Sequence, residues 1–158
     1  MYALANSLDP ALDALREQLD VPVLSVMQVG CSIASMLGDR FGVIIPNEKF
    51  VPKYRDVVES YGMSSKLAGL SPLAFDRISD HNAMFTDDEV AAQTYSRIEA
   101  CAGELVAKGA EVIMVAGITA SLLRKLDVRE ITVPGSSTCT PPSSRSPRRW
   151  VTWRLPAG

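Results

Sequence analysis

Apolar positions along this chain switch repeatedly between short continuous runs and helical spacing. Tyr2 to Ala5 is a short apolar run that stops at the polar segment NSLDP. Behind it, PALDALREQL sets Leu12, Leu15 and Leu19 at helical spacing, with Pro10 in the first turn where a missing N–H costs nothing. VPVLSV then reads as a strand, and GCSIASMLGDR as a short helix closed by Gly38. FGVII is a fully buried strand by its β-branched content, halted by Pro46 and Asn47. FVPKYRDVVESYG puts Tyr54, Val57, Val58 and Tyr61 on one helical face and stops at Gly62. KLAGLSPL reads as a strand, DHNAMFTDDE as a loop, and Asp87 to Lys108 as a long helix. The acidic start of that helix suits the positive end of its dipole, and Gly109 ends it. AEVIMVAG is the plainest strand, followed by a helix over ITASLLRKL and a strand over REITVP.

Strands separated by helices of this length imply parallel pairing through right-handed crossovers, hence an α/β layered sandwich with a mostly parallel sheet. In such sheets ligands sit beyond the carboxyl ends of the strands, so NSLDP, PNEKF and AGITA are the loops to inspect. Their small polar residues suit a backbone cradle for a carboxylate or similar anion. The same residue types also serve simply to turn the chain.

Composition narrows the partners. The chain has 158 residues, 47% hydrophobic and 22% charged, enough for one ordinary domain with a buried core. A net charge of -2 offers no general field for nucleic acid or an anionic membrane. MYALANSLDP has no basic start followed by a long apolar run, and no window approaches the roughly 18 apolar residues of a membrane span. The cytoplasm is the expected location. Cys31, Cys101 and Cys139 are an odd count without paired spacing, and the lone His81 leaves a zinc site short of ligands, so neither a disulfide framework nor a metal is expected. No Gly-x-Gly-x-x-Gly follows a strand, which removes the dinucleotide fingerprint.

The run ANSLDPALDALREQLDVPVLSV, then SMLGDRFGVIIPN, then GAEVIMVAG, resembles the aspartate/glutamate/hydantoin racemase superfamily. The Asp-Pro-x-Leu-Asp-Ala-x-Arg-Glu segment points to its hydantoin racemase-like branch, and the similarity runs from Met1 to Pro134. The resemblance implies two similar α/β lobes with a small-molecule substrate, an amino acid, hydantoin or related carboxylate or amide, in the cleft between them. It also implies proton transfer at a carbon alpha to a carbonyl, with no cofactor. Two cysteines, one per lobe, would face that carbon from opposite sides. Aligned on Asp9 and Pro10, the first falls at Asn6, or at Ala5 if the Asn-Ser pair is aligned instead; the second falls at Gly117. Neither position is a thiol. The resemblance thus places Asn6, Ser7, Pro46, Asn47, Gly117 and Thr119 around the substrate with no catalytic cysteine intact, which leaves hydroxyls as proton carriers and implies low or absent turnover. The alternative is a non-catalytic remnant or binding module for small carboxylates. A homo-oligomer stays open.

Cys31 lies amid Ile33, Met36 and Leu37, and Cys101 between Ile98 and Leu105, where a free thiol acts as a small hydrophobe. His81 reads as a solvated loop residue, with a substrate-contacting lid as the lesser reading. By the resemblance, residues 1–37 form a partial first lobe that lacks an earlier segment, residues 38–134 the second lobe, and residues 135–158 an irregular, disordered tail. GSSTCTPPSSRSPRRWVTWRLPAG has no hydrophobic period. Read one base out of frame, codons for these residues can spell a strand ending VLDVHAAV and a small apolar helix, which implies a frameshift near Gly135. The alternative is a basic extension for an acidic partner.

Overall fold

The computed structural model describes residues 1–75 and 78–128. The strand expected over REITVP and the whole tail lie outside the described residues.

Among the described residues, strands and helices follow one another, in agreement with the α/β expectation, with one pair of helices between the last two strands. The order is β1 (Tyr2–Leu4), α1 (Leu12–Gln18), β2 (Val23–Ser25), α2 (Val26–Leu37), β3 (Phe41–Ile45) and α3 (Val51–Ser60). It continues with β4 (Leu67–Pro72), α4 (Ile78–Thr86), α5 (Asp88–Ala107), β5 (Val112–Val115) and α6 (Thr119–Lys125). Two parallel sheets result. β1 pairs with β2, and a second sheet has the order β4-β3-β5.

The second sheet holds the core. Phe41, Val43, Ile44 and Ile45 of its central strand are all 0% exposed. Period-two alternation sends Phe41, Val43 and Ile45 to one face, where they meet Met27, Cys31 and Ala34 of α2 and Tyr54 and Val58 of α3. Ile44 goes to the other face, against Ala91, Ile98 and Leu105 of α5 and Leu122 and Leu123 of α6. Gly42 lets α5 approach closely, since a Cβ there would stand 3.0 Å from the Leu105 side chain. Full burial of each large side chain contributes about 1.5–3 kcal/mol, so this sheet carries most of the stability. α2 precedes residue 38 yet packs into this same core.

The helix ends follow local chemistry. Ser25 caps α2 by accepting from Gln28 N at 2.9 Å, which starts that helix immediately after β2 and earlier than the sequence pattern suggests. Asp87 caps α5 by accepting from Glu89 N at 2.9 Å and Val90 N at 3.2 Å. Gly109, at φ 88, closes it with its own N–H on Val106 O and Ala110 N on Leu105 O.

One expectation needs correction. The segment read as a loop, DHNAMFTDDE, contributes most of α4. Its residues are indifferent helix formers, and the pattern is short. Tertiary packing decides the matter, because Met84 is 0% exposed within the α5 cluster and the His81 ring stands edge-on to Phe75 at 4.4 Å. His81 is therefore half-buried on a helix, in contrast to the solvated loop position expected for it.

Candidate functional site

The loop after β1 is built around polar side chains that turn the backbone on itself. Asn6 Oδ1 accepts from Leu8 N at 2.9 Å and Asn6 O accepts from Asp9 N at 3.0 Å, an Asx-type turn that leaves Asn6 exposed. Asp9 and Ala11 both take left-handed backbone angles, φ 47 and φ 61, which non-glycine residues adopt at a cost. Ser7 points inward instead. It is 9% exposed, and its Oγ lies 2.6 Å from the Tyr54 hydroxyl on α3.

The loop after β5 comes up to the same place. Ala116 N donates to Ile44 O at 2.8 Å, which fixes the end of β5 against β3. Gly117 then takes φ 68, and a Cβ built on it would lie 3.7 Å from Ser7 Oγ. The structure thus brings Ser7 and Gly117 together from two different sheets. Thr119, in the first turn of α6, is 0% exposed and its hydroxyl has no hydrogen-bond partner among the described residues. Pro46 and Asn47 end β3 beside β5. Pro46 O accepts from Phe75 N at 3.0 Å, Asn47 Oδ1 accepts from Lys49 N at 2.8 Å, and Asn47 Nδ2 donates to Phe75 O. Asn47 thereby ties the carboxyl ends of β3 and β4 together. The exposed side chain of Asn6 stays on its own loop, so Ser7 is the residue of this turn that meets Gly117.

Sequence reasoning missed three side chains beside this junction. Asp9 Oδ2 accepts from Ser25 Oγ and from the Tyr61 hydroxyl, while its Oδ1 is buried without a partner among the described residues. Burial pushes the Asp9 carboxyl above its ordinary range, opposed by the Ser25 hydrogen bond and the nearby Arg16 charge. Tyr54 was legible only as part of a helical face. Its phenol is held above its ordinary range, chiefly by burial, opposed by the hydrogen bond with Ser7 and helped by the Asp9 charge. Tyr61 closes α3 and reaches back to Asp9. Outside this loop lies a cavity of about 310 Å³ lined by Asp9, Arg16, Gln28 and Tyr61 among others. There Arg16 Nη2 donates to Gln28 Oε1 at 2.6 Å.

The two described cysteines take no part. Cys31 is 0% exposed and burial, with the Asp9 charge adding, pushes its thiol up to about 12. Cys101 is 8% exposed, is likewise pushed up by burial, and its Sγ lies 3.6 Å from Pro72 O. A thiol so placed stays protonated and unreactive. Among the described residues no group of three or more His, Cys, Asp or Glu could hold a metal ion, and no helix is long and apolar enough to cross a membrane.

Parallel sheets covered by helices define the class of protein, a layered α/β sandwich, a fold in which ligands generally sit beyond the carboxyl ends of the strands. The chain belongs to the Asp/Glu/Hydantoin racemase family, whose model matches residues 2–138. It is similar to the hydantoin racemase of Pseudomonas sp. (strain NS671), 36% identical over 62 residues, 39% of this chain and 25% of that one. The hydantoin racemase of Rhizobium meliloti is 36% identical over 61 residues, 39% of this chain and 25% of that one. Among solved structures, the allantoin racemase from Klebsiella pneumoniae superposes with a TM-score of 0.62 at 21% identity, over 79% of this chain and 51% of that one. The allantoin racemase from Pseudomonas fluorescens gives 0.64 at 21% identity, over 80% and 53%. The matched region spans about a quarter of the curated relatives and about half of the solved structures. At that identity the structures speak for the fold.

Proposed function

We propose that the junction between the β1–α1 loop and the β5–α6 loop is a racemase-type site for a small molecule with a carbon acid next to a carbonyl, an amino acid or a hydantoin. Asn6, Ser7, Pro46, Asn47, Gly117 and Thr119 line it, and proton transfer there needs no bound cofactor. The observation that carries this reading is the approach of Ser7 Oγ to within 3.7 Å of a Gly117 Cβ position, from loops of separate sheets. Inversion at a carbon requires one group to take a proton from one face and another to return it to the opposite face. Two loops that reach the junction from two sheets are the elements that would carry those two groups. The groups themselves are weak. Ser7 carries a neutral hydroxyl whose neighbour, Tyr54, is held protonated, so no base stands ready to activate it. Binding is therefore expected to outlast turnover.

A second reading follows from that same lack of a base, a module that binds small carboxylates without chemistry. Polarimetry with an optically pure 5-substituted hydantoin separates the two. The racemase reading expects slow loss of rotation that Ser7→Ala abolishes and that joint Asn6→Cys and Gly117→Cys substitution, the two positions where the resemblance puts the thiols, accelerates. Racemisation undiminished by both Ser7→Ala and Thr119→Val would put the chemistry elsewhere. Binding without racemisation, even with both thiols installed, would favour the binding module.

A further inference from the structure

The Tyr54 hydroxyl is a polar group at the junction that neither the family match nor the sequence accounts for. Tyr54 is 2% exposed and sits mid-helix in α3, with its ring in the core cluster that holds Phe41, Val43 and Val58. Nothing in that apolar setting would favour tyrosine over phenylalanine, because burying a hydroxyl is unfavourable unless it finds a partner. The partner it finds is Ser7 Oγ, at 2.6 Å and 47 residues away. Either oxygen could be the donor in that pair. Asp9, the other acceptor nearby, takes hydrogen bonds from Ser25 and Tyr61 on one oxygen, and no hydrogen bond from Tyr54 reaches its other oxygen among the described residues.

We infer that Tyr54 is a positioning residue for the site proposed above, on which this inference rests: its phenol donates to Ser7 Oγ and so directs the serine's own O–H toward the Gly117 side of the junction, where it donates to a carbonyl or carboxylate oxygen of the bound molecule. Three observations support that direction. The buried phenol keeps its proton across the ordinary pH range, so it has an O–H to give. Gly117 has no side chain to fill the space in front of Ser7 Oγ. The ring is buried in a packed core cluster, which restricts its hydroxyl before any ligand arrives. The class of ligand follows from the donor, a small molecule with an acceptor oxygen beside the reacting carbon. Tyr54 touches neither that oxygen nor the reacting carbon; it acts through Ser7.

The test places a thiol at position 7 and reads its acidity. In a Cys139→Ser background, the Ser7→Cys chain is alkylated with iodoacetamide across a pH series, with and without Tyr54→Phe. Buried Cys31 and Cys101 stay silent. A donating phenol stabilises the thiolate, so Tyr54→Phe raises the pH midpoint of alkylation by on the order of one unit. An Asn6→Cys chain is the control, and its midpoint is unmoved by Tyr54→Phe. A midpoint at position 7 that does not change, or one that changes equally at position 6, overturns the inference. So does a Tyr54→Phe chain that unfolds while Ser7→Ala folds, because the phenol would then be structural.

Hydantoin itself is the probe for the second half. Its binding, followed by NMR titration of the intact chain, weakens about tenfold with Tyr54→Phe and no further when Ser7→Ala is added. Additive losses overturn the relay through Ser7. A chain that shows the thiol shift but binds neither hydantoin nor allantoin overturns the site reading, and with it the role given to Tyr54, while the hydrogen bond stands.

Discussion

The two parallel sheets of this chain differ in how they are held. The three-stranded sheet is covered on both faces, by α2 and α3 on one side and α5 and α6 on the other, and every residue of β3 is buried. The two-stranded sheet is buried on one side only. Val23 and Ser25 point inward at 5% and 0% exposure, while Leu24 and Tyr2 stand out at 42% and 45%. Packing defines the first sheet. The second is joined to it by α2, which follows β2 directly and packs into the larger core, and by polar links from the loop after β1, Ser7 to Tyr54 on α3 and Asp9 to Tyr61 at its end. Hydrophobic burial is non-directional, whereas hydrogen bonds fix geometry, so the polar seam is where a site requiring exact placement of two loops can be built.

Mutations should divide along the same line. The largest effect is expected in β3: Phe41→Ala leaves a cavity between α2 and α3 and should cost about 3–5 kcal/mol by urea denaturation. Leu24→Ala on the half-covered sheet should cost within about 0.5 kcal/mol. Equal losses would mean that both sheets depend on packing alike. Next in size is Thr119→Val, which replaces a buried, unpartnered hydroxyl by a methyl group of similar shape. It should raise stability by about 1 kcal/mol, read from the denaturation midpoint. A loss would show that the hydroxyl has a partner that static contacts do not reveal.

Smaller still, and specific to the seam, is the pH dependence contributed by Asp9. Its folded-state pKa lies above the ordinary value of 3.8, so below that value the carboxyl is protonated in both states and costs nothing. As pH rises toward the folded value, the unfolded chain loses its proton first and stability falls; above the folded value the penalty is complete. Asp9→Asn should therefore flatten the stability profile between the ordinary carboxyl value and the raised folded one. Parent and variant profiles that run parallel there would show that burial of Asp9 imposes no such penalty.

What could be read from the sequence also follows the contrast. β3 announces itself as FGVII because it is buried on both faces, and β5 does the same as VIMV within AEVIMVAG. The helix stops at Gly62 and Gly109 were legible because both take the positive φ that only glycine adopts without strain. α4 was not legible, since long-range packing of Met84 creates it where local propensity is poor. At the seam, the loops were found because strand ends must turn, but the partners were not. Tyr54 has the spacing of a core residue and is one; that its hydroxyl meets Ser7 is a contact over 47 positions with no local trace. Alignment on Asp9 pointed to Asn6 as the residue opposite Gly117. The Asn6 side chain caps its own turn, and Ser7 Oγ is the atom that lies 3.7 Å from a Gly117 Cβ position.

The account stands on that facing pair. Joint Ser7→Cys and Gly117→Cys substitution, oxidised with diamide and read by intact mass and by gel mobility without reductant, tests it most directly, because only side chains a few ångströms apart can bridge without moving the backbone. An intramolecular disulfide should form between positions 7 and 117, and should not form when Asn6→Cys replaces Ser7→Cys. Free thiols at both positions under oxidation, or a bridge from position 6 in preference to position 7, would contradict the claim that the two sheets bring Ser7 and Gly117 to one site.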